Sequence, residues 1–323
     1  MQDSKKQIAE DQHFVPRSYL KLFSNEKNML SVLDLKNRRT SIRPYSSVCY
    51  DKFFYGIETG KADEVSQVVE EYLKYIENKT PRILNDFNVK ILNNEHISDG
   101  LRYNIACIMS VMWIRSPYLR KQINKMTEEA TKWTLGFDAG NKELYFNKTK
   151  KLARENNIDV TDEEIEEHRK LVLDQKYKIK STNYHHLVLF DKVENFANMI
   201  YAKNWRVHIA DGSYKFFTSD TPVIEWFPER KGLYGASFLD RKHYFATLPT
   251  ILIETIYPIS GKNLIRKRVN DSKVLMLNAV RVENSLNYCY GTDDKQYRIL
   301  LNLAEQNNPI KMAMKRIYNV IKN

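Results

Sequence analysis

Ten glycines and nine prolines are all the strong turn formers that 323 residues contain. Together they make up about 6% of the chain, against roughly 12% in average proteins, too few for the many tight turns of a sandwich or propeller. Breaks this rare leave long uninterrupted runs, so the chain should be mostly helical. With 42% apolar and 28% charged residues it has ample material for a buried core. The length suits about two domains or one large one. Three widely spaced cysteines, Cys49, Cys107 and Cys289, supply neither a disulfide framework nor a four-thiolate zinc site, and they fit a reducing compartment.

The period of the apolar residues divides the chain. Residues 29–35 read as a strand, with a turn at Asn37–Ser41 and a Tyr/Phe-rich loop after it. From Ala62 onward, Val65, Val68, Val69, Tyr72, Leu73 and Ile76 form one helical stripe. Ser98 is placed to cap a second helix carrying Leu101, Ile105, Ile108, Met109 and Met112, which Pro117 interrupts. Thr161 and Glu164 spell a capping box for a helix expected to run toward Lys180, and another is expected over Tyr184 to Ala202. Beyond Lys203 the texture becomes short aromatic and β-branched runs, closing on helices near Asp271–Arg281 and Ile310–Ile321. Helices lead and strands follow without alternation, which defines an α+β class. We expect a single domain over 1–323, helical over about 60–202. A mostly antiparallel sheet should form over about 203–292, joined by the strand at 29–35.

The net charge is +11 and the pI about 9.3. Such a surplus favours polyanionic partners, nucleic acid first among them, because clustered cations release counterions from phosphate backbones. The richness in Ile, Asn, Lys and Tyr would also follow from an AT-biased genome. Two stretches concentrate the excess without an acid: Lys36 to Arg43 and Lys311 to Asn323. The opening segment has no apolar run and the longest one, Ile105 to Ile114, is half a bilayer span. A soluble cytoplasmic protein with no membrane partner is therefore expected.

Common catalytic signatures are missing: the sequence contains no P-loop, G-x-G-x-x-G, G-x-S-x-G or H-E-x-x-H. Four constellations remain. In Gln12-His13-Phe14-Val15-Pro16-Arg17 an imidazole and a guanidinium flank a proline. His13 would serve as general base, general acid or metal ligand and Arg17 as a phosphate clamp, or both simply dock the N-terminal arm. Glu70 and Glu77 are seven residues apart, two helical turns or about 10.5 Å, too far to share one ion but able to join a site built with other elements. In Phe217-Thr218-Ser219-Asp220-Thr221-Pro222 a strand ends in hydroxyls and an acid. Asp220 would ligate a cation, orient His13 or make an Asx-type turn. Asp220 with Glu229 and Lys231 also has the skeleton of a metal-dependent nuclease, though in loop-like surroundings. Finally, Tyr184-His185-His186 with His208 reads as structural.

The first and third of these resemble the bacterial family known as domain of unknown function 4238, whose members open with Gln-His-(Tyr/Phe)-Val-Pro-(Arg/Gln)-x-Tyr-Leu-x-x-Phe. Gln12 to Phe23 reproduces that signature. A strand and Tyr/Phe loop (Leu30 to Tyr55), the spaced Glu70 and Glu77, Arg115-Ser116-Pro117, and Trp205 to Val207 leading to Phe217 to Val223 follow in the family's order. Tyr257 to Ser260 departs from the family's Pro-Leu-Ser-Pro. The resemblance implies a site built on Gln-His…Arg and Ser-Asp-x-Pro. The scatter of members among bacteria, in the manner of accessory genes, implies a defence role.

The expected function is thus a defence-associated phosphodiesterase or nuclease, a metal-dependent hydrolase using Mg or Mn. His13, Arg17 and Asp220 would be catalytic; Gln12, Thr218 and Ser219 would bind substrate; Glu77 and Asp220 would hold the metal. The alternative is a non-catalytic protein that binds or senses nucleic acid, nucleotide or a phage protein.

Overall fold

The computed structural model describes residues 10–58, 65–66, 68–179, 181–226, 241–257 and 263–305, and for 57–58, 65–66 and 302–305 the backbone alone. The tail at Lys311 to Asn323, the expected helix at Ile310–Ile321 and the Glu229–Lys231 pair lie outside these residues. The elements run β1 (Asp11–His13), α1 (Arg17–Leu20), β2 (Met29–Asp34), β3 (Arg39–Pro44), β4 (Tyr50–Lys52), β5 (Ile57–Glu58), β6 (Val65–Ser66), α2 (Val68–Leu92), α3 (Asp99–Ile114) and α4 (Pro117–Gly140). They continue with α5 (Lys142–Glu155), α6 (Asp162–Leu173), α7 (Tyr184–Leu187), α8 (Val193–Ala202), β7 (Asn204–Ala210), β8 (Thr218–Ser219), β9 (Val223–Trp226) and β10 (Lys242–Leu248). Then come β11 (Ile251–Ile256), β12 (Leu264–Val269), α9 (Asp271–Asn284), β13 (Tyr288–Gly291) and α10 (Lys295–Glu305). The class is α+β, as the change of period implies.

Helix starts follow local chemistry. Ser98 Oγ accepts the Leu101 N–H at 3.3 Å, and Thr161 and Glu164 form the reciprocal capping box. Ser116 accepts the Leu119 N–H at 3.2 Å. Pro117 then opens α4, where a missing N–H costs nothing. The helix after Thr161 ends at Leu173, short of Lys180. The stretch from Tyr184 to Ala202 is broken by a 3-10 segment at Val188–Lys192. The basic run at 36–43 is the tip and outer strand, β3, of a hairpin with β2, where a turn alone was expected.

The chain divides into two compact units, Lys121–His186 and the remainder. The first packs α4, α5 and α6 around Ala139, Tyr145, Ile165 and Val172. In the second, one sheet has the order β12-β7-β11-β10-β9, antiparallel except for parallel β12 and β7. The other has the order β3-β2-β13-β8 and is antiparallel throughout. Helices α2, α3 and α8 contribute Phe87, Ile105, Met109 and Ile200 to the same core as Trp205, Val207 and Ile253 of the five-stranded sheet. Among the described residues, no helix is long and apolar enough to cross a membrane.

Candidate functional site

The N-terminal signature folds as a two-stranded ladder, β1 against β4, with Gln12 opposite Asp51 and His13 opposite Tyr50. Alternation sends Gln12 inward, where it is buried and its Oε1 accepts the Tyr55 N–H at 2.6 Å. His13 points to the half-buried side. Pro16 then turns the chain, its carbonyl accepting from Tyr19 and Leu20 N–H. Arg17 opens α1 one turn from His13 and donates from Nε to His13 Nε2 at 3.1 Å. The ring also hydrogen-bonds to the Ser46 backbone. An Nε2 that accepts from Arg17 carries no proton, so the imidazole in this arrangement is neutral. Burial lowers the His13 pKa first and Arg17 lowers it further, against the opposing pull of Ser46 and Glu77.

Behind this shelf lies Arg115, at the end of α3 and 1% exposed. Its Nε donates to Tyr55 Oη at 2.9 Å, its Nη1 to Glu77 Oε1 at 2.6 Å, and its Nη2 to the His13 carbonyl. Tyr55 Oη donates to that same carbonyl at 3.1 Å. One planar guanidinium thus ties together β1, the Tyr/Phe loop, α2 and α3, for which its fork of fixed donors is suited. Burial opposes the charge on Arg115, yet Tyr55 and Glu77 outweigh it and raise the pKa. Glu70, one face of α2 along from Glu77, has its pKa raised by burial and by Glu77, with Arg115 opposing. Pro81, one turn after Glu77, has no N–H to offer the Glu77 carbonyl, so α2 bears an irregularity at this site.

The Thr-Ser-Asp motif is placed differently. Thr218, Ser219 and Asp220 are all buried. Asp220 accepts from Leu286 N at 3.0 Å, Asn287 N at 2.7 Å and Tyr288 N at 3.0 Å, so it clasps the turn between α9 and β13. Burial pushes its carboxyl up to about 6 in spite of these three donors. Ser219 and Thr221 close a local turn, Ser219 Oγ donating to the Thr221 carbonyl at 2.8 Å. Thr218 Oγ1 lies 2.9 Å from Tyr19 Oη.

The expected pairing of Asp220 with His13 is therefore corrected: Arg17 and Ser46 orient the imidazole, while Asp220 is turned to backbone N–H groups. The substrate-facing role expected of Gln12, Thr218 and Ser219 meets the same obstacle, since all three are sealed from solvent. Glu77 is committed to Arg115 and Asp220 to the 286–288 turn, so the two do not form a ligand pair. Among the described residues, no group of three or more His, Cys, Asp and Glu side chains comes together to hold a metal ion. The expected Mg or Mn ion thus finds no such ligand group among the described residues. What the structure does bring together is His13, Arg17 and Glu77 around Arg115 and Tyr55, with Glu70 further along α2 under the charge of Arg115 and Glu77.

Arg115 and Tyr55 have roles that the sequence did not disclose. The signal was present: an arginine that directly follows a helix apolar on nearly all sides must be buried with it, and a buried guanidinium requires a carboxylate and further acceptors.

A half-buried histidine, an exposed arginine and a glutamate reached through Arg115, set on an α+β scaffold at the edge of a two-stranded ladder, define a protein with a half-buried polar shelf. The family model described as "Protein of unknown function (DUF4238)" matches residues 11–295, and the chain belongs to that family. No curated protein and no solved structure matches the chain.

Proposed function

We propose that the shelf is an acid–base active centre and that the chain is a nuclease cleaving RNA, in the defence setting that the family resemblance implies. The observation that carries this reading is the half-buried His13, its Nε2 held by the exposed Arg17 at 3.1 Å and its ring under the charge of Glu77, with Glu70, whose pKa is raised, further along the same helix. A base held below its ordinary pKa and an acid held above it are the two partners that proton transfer at neutral pH requires. Arg17 would leave Nε2 to pair with a phosphoryl oxygen, freeing the lone pair as substrate arrives. Nε2 would then take the 2′-hydroxyl proton, the 2′ oxygen would bond to phosphorus, and the bond from phosphorus to the 5′ oxygen would break. The proton for that leaving oxygen would come from the Glu70 carboxyl, whose hold on a proton burial strengthens. Arg115 and Glu77 are positioning residues, holding the His13 carbonyl and the α2 face in place.

The experiment is incubation of labelled single-stranded RNA with the wild type and with His13→Gln, both in excess chelator. Cleavage by the wild type, leaving cyclic phosphate ends, and at least a hundredfold loss in the variant are expected. Intact RNA recovered from the wild type overturns the reading and leaves a protein that binds without turnover.

A further inference from the structure

Away from the shelf, the five-stranded sheet carries charge along the face turned away from Trp205, Val207 and Ile253, a face whose Ile224, Tyr244, Ala246 and Leu252 are themselves buried in the core with Val274 and Leu277 of α9. The register sets Lys267 beside His208, Arg206 beside Glu254, Tyr244 beside Glu254 and Lys242 beside Trp226, all on one side of the pleat. Five strands spaced about 4.8 Å make this row roughly 19 Å wide. Its centre is Glu254, 3% exposed. Its oxygens receive His208 Nε2 at 2.9 Å, Lys242 Nζ at 3.0 Å and Arg206 Nη1 at 3.2 Å. Lys273, from the first turn of α9, faces the same carboxylate, and Arg206, Lys242 and Lys267 all press on it.

The charges do not balance. Arg206 and Lys242 pair with the one carboxylate and Lys273 lies under its charge, while Lys267 adds a further cation, and Lys267 and Lys273 have no ion pair among the described residues. Burial and like charge together lower the Lys273 pKa. An anion laid along the row would relieve both the repulsion and the lost hydration. Trp226 stands at one end of the row, half-buried, with Lys242 Nζ 5.5 Å from its ring. At the other end Ile265 is 59% exposed. Cations spaced along the exposed rim of a sheet, with an aromatic ring at its edge, suit an unstacked base on a flexible backbone better than a rigid duplex.

We propose that this face binds single-stranded nucleic acid, with phosphates against Lys267, Lys273 and Arg206 and a base against Trp226. The proposal deepens the nuclease reading by naming where the polyanion lies, and its test is independent of cleavage. The probe is a 5′-fluorescent twelve-residue oligo-dT, which lacks the 2′-hydroxyl that His13 would need, so anisotropy reports binding alone. Binding is expected to weaken with salt at a log–log slope near −2, about 0.7 for each of three phosphates. Lys267→Glu with Lys273→Glu should weaken it at least tenfold with an unchanged far-UV spectrum, and Trp226→Ala severalfold. Lys36→Glu with Arg39→Glu, on the basic hairpin, should leave it within twofold. Undetectable binding by the wild type, a stronger preference for duplex, or equal binding by the Lys267/Lys273 variant overturns the proposal. If RNA cleavage by the wild type survives any of these, the His13 reading stands without this face. Loss of cleavage in His13→Gln with oligo-dT binding intact supports both.

Discussion

Tyr19 Oη and Thr218 Oγ1, 199 residues apart in sequence, lie 2.9 Å from one another in the core. The phenol gives its proton to the Ala246 carbonyl at 2.7 Å, so the Thr218 hydroxyl must donate to the phenol oxygen. The N-terminal signature and the Thr-Ser-Asp motif are thus joined through their buried members, and the exposed members of the first stand apart on the shelf. The two motifs therefore play different parts. One presents His13 and Arg17 on the half-buried shelf, and the other anchors the N-terminal segment to the sheets.

Tyr19→Phe tests the anchor. It leaves the ring in its stacked place on Phe245 but strands a buried carbonyl and a buried hydroxyl. Leaving such groups unpaired costs about 1–3 kcal/mol. Urea denaturation should show that loss, while RNA cleavage at saturating substrate, measured well below the unfolding midpoint, should stay within twofold.

Arg115→Lys should be more damaging. A single ammonium on a flexible stem cannot reach Tyr55 Oη, Glu77 Oε1 and the His13 carbonyl in the directions the guanidinium serves. Breaking a buried pair by removing one partner costs about 3–5 kcal/mol. Since lysine keeps the charge near Glu77, we expect about 2–4 kcal/mol in chemical denaturation. Retention of wild-type stability would show that the charge alone, without the fork, holds these elements.

Much of the scaffold was legible because its signals are local. Ser98, the Thr161–Glu164 box and the Ser116-Pro117 start act within one turn, and the change from a helical to an alternating period near Lys203 separates helices from strands. What escaped were consequences of long-range packing. The donors of Asp220 are backbone groups 66 to 68 residues away, and backbone N–H groups leave no mark on a sequence. A short polar stretch such as Tyr50–Lys52 forms a strand only because β1 supplies its partner. The charge row of the five-stranded sheet was hidden similarly: Arg206, Lys242, Glu254 and Lys267 become neighbours through register alone.

A pH dependence follows from His243, wholly buried in β10. Its Nδ1 lies 3.1 Å from Thr255 Oγ1 and 3.2 Å from Lys203 Nζ. Burial, joined by Lys203 and Arg241, brings its pKa down to about 4 against the opposing pull of Glu225. The unfolded chain takes up this proton near pH 6.5, whereas the folded chain holds it off until about 4, so the stability is present above pH 6.5 and is lost as pH falls. Between about pH 7 and 5 that loss is about 2 kcal/mol. Asp220 acts oppositely, because its carboxyl, at about 6, gains a proton in the folded state first. Comparing the wild type with His243→Gln cancels the Asp220 contribution. The variant, whatever its absolute stability, should lose about 2 kcal/mol less than the wild type over that interval in urea titrations at the two pH values.

The relation of Arg17 to His13 gives the sharpest test of the shelf. After burial, Arg17 is the next cause that depresses the His13 pKa, acting through its charge as well as through the bond at 3.1 Å. Arg17→Gln removes the charge, and because Arg17 is exposed the fold should lose less than about 0.5 kcal/mol. The His13 imidazole, followed by its Cε1–H resonance, should then titrate at higher pH than in the wild type, closer to the ordinary value of about 6.5. In the wild type burial and Arg17 hold the imidazole below its ordinary value, so the acid limb of the cleavage profile should lie lower. In Arg17→Gln the limb should move upward, and the plateau rate should fall about a hundredfold as the phosphate loses its clamp. A limb that moves while the plateau holds would assign Arg17 to tuning the imidazole alone. An imidazole that titrates as in the wild type would remove Arg17 from the site altogether.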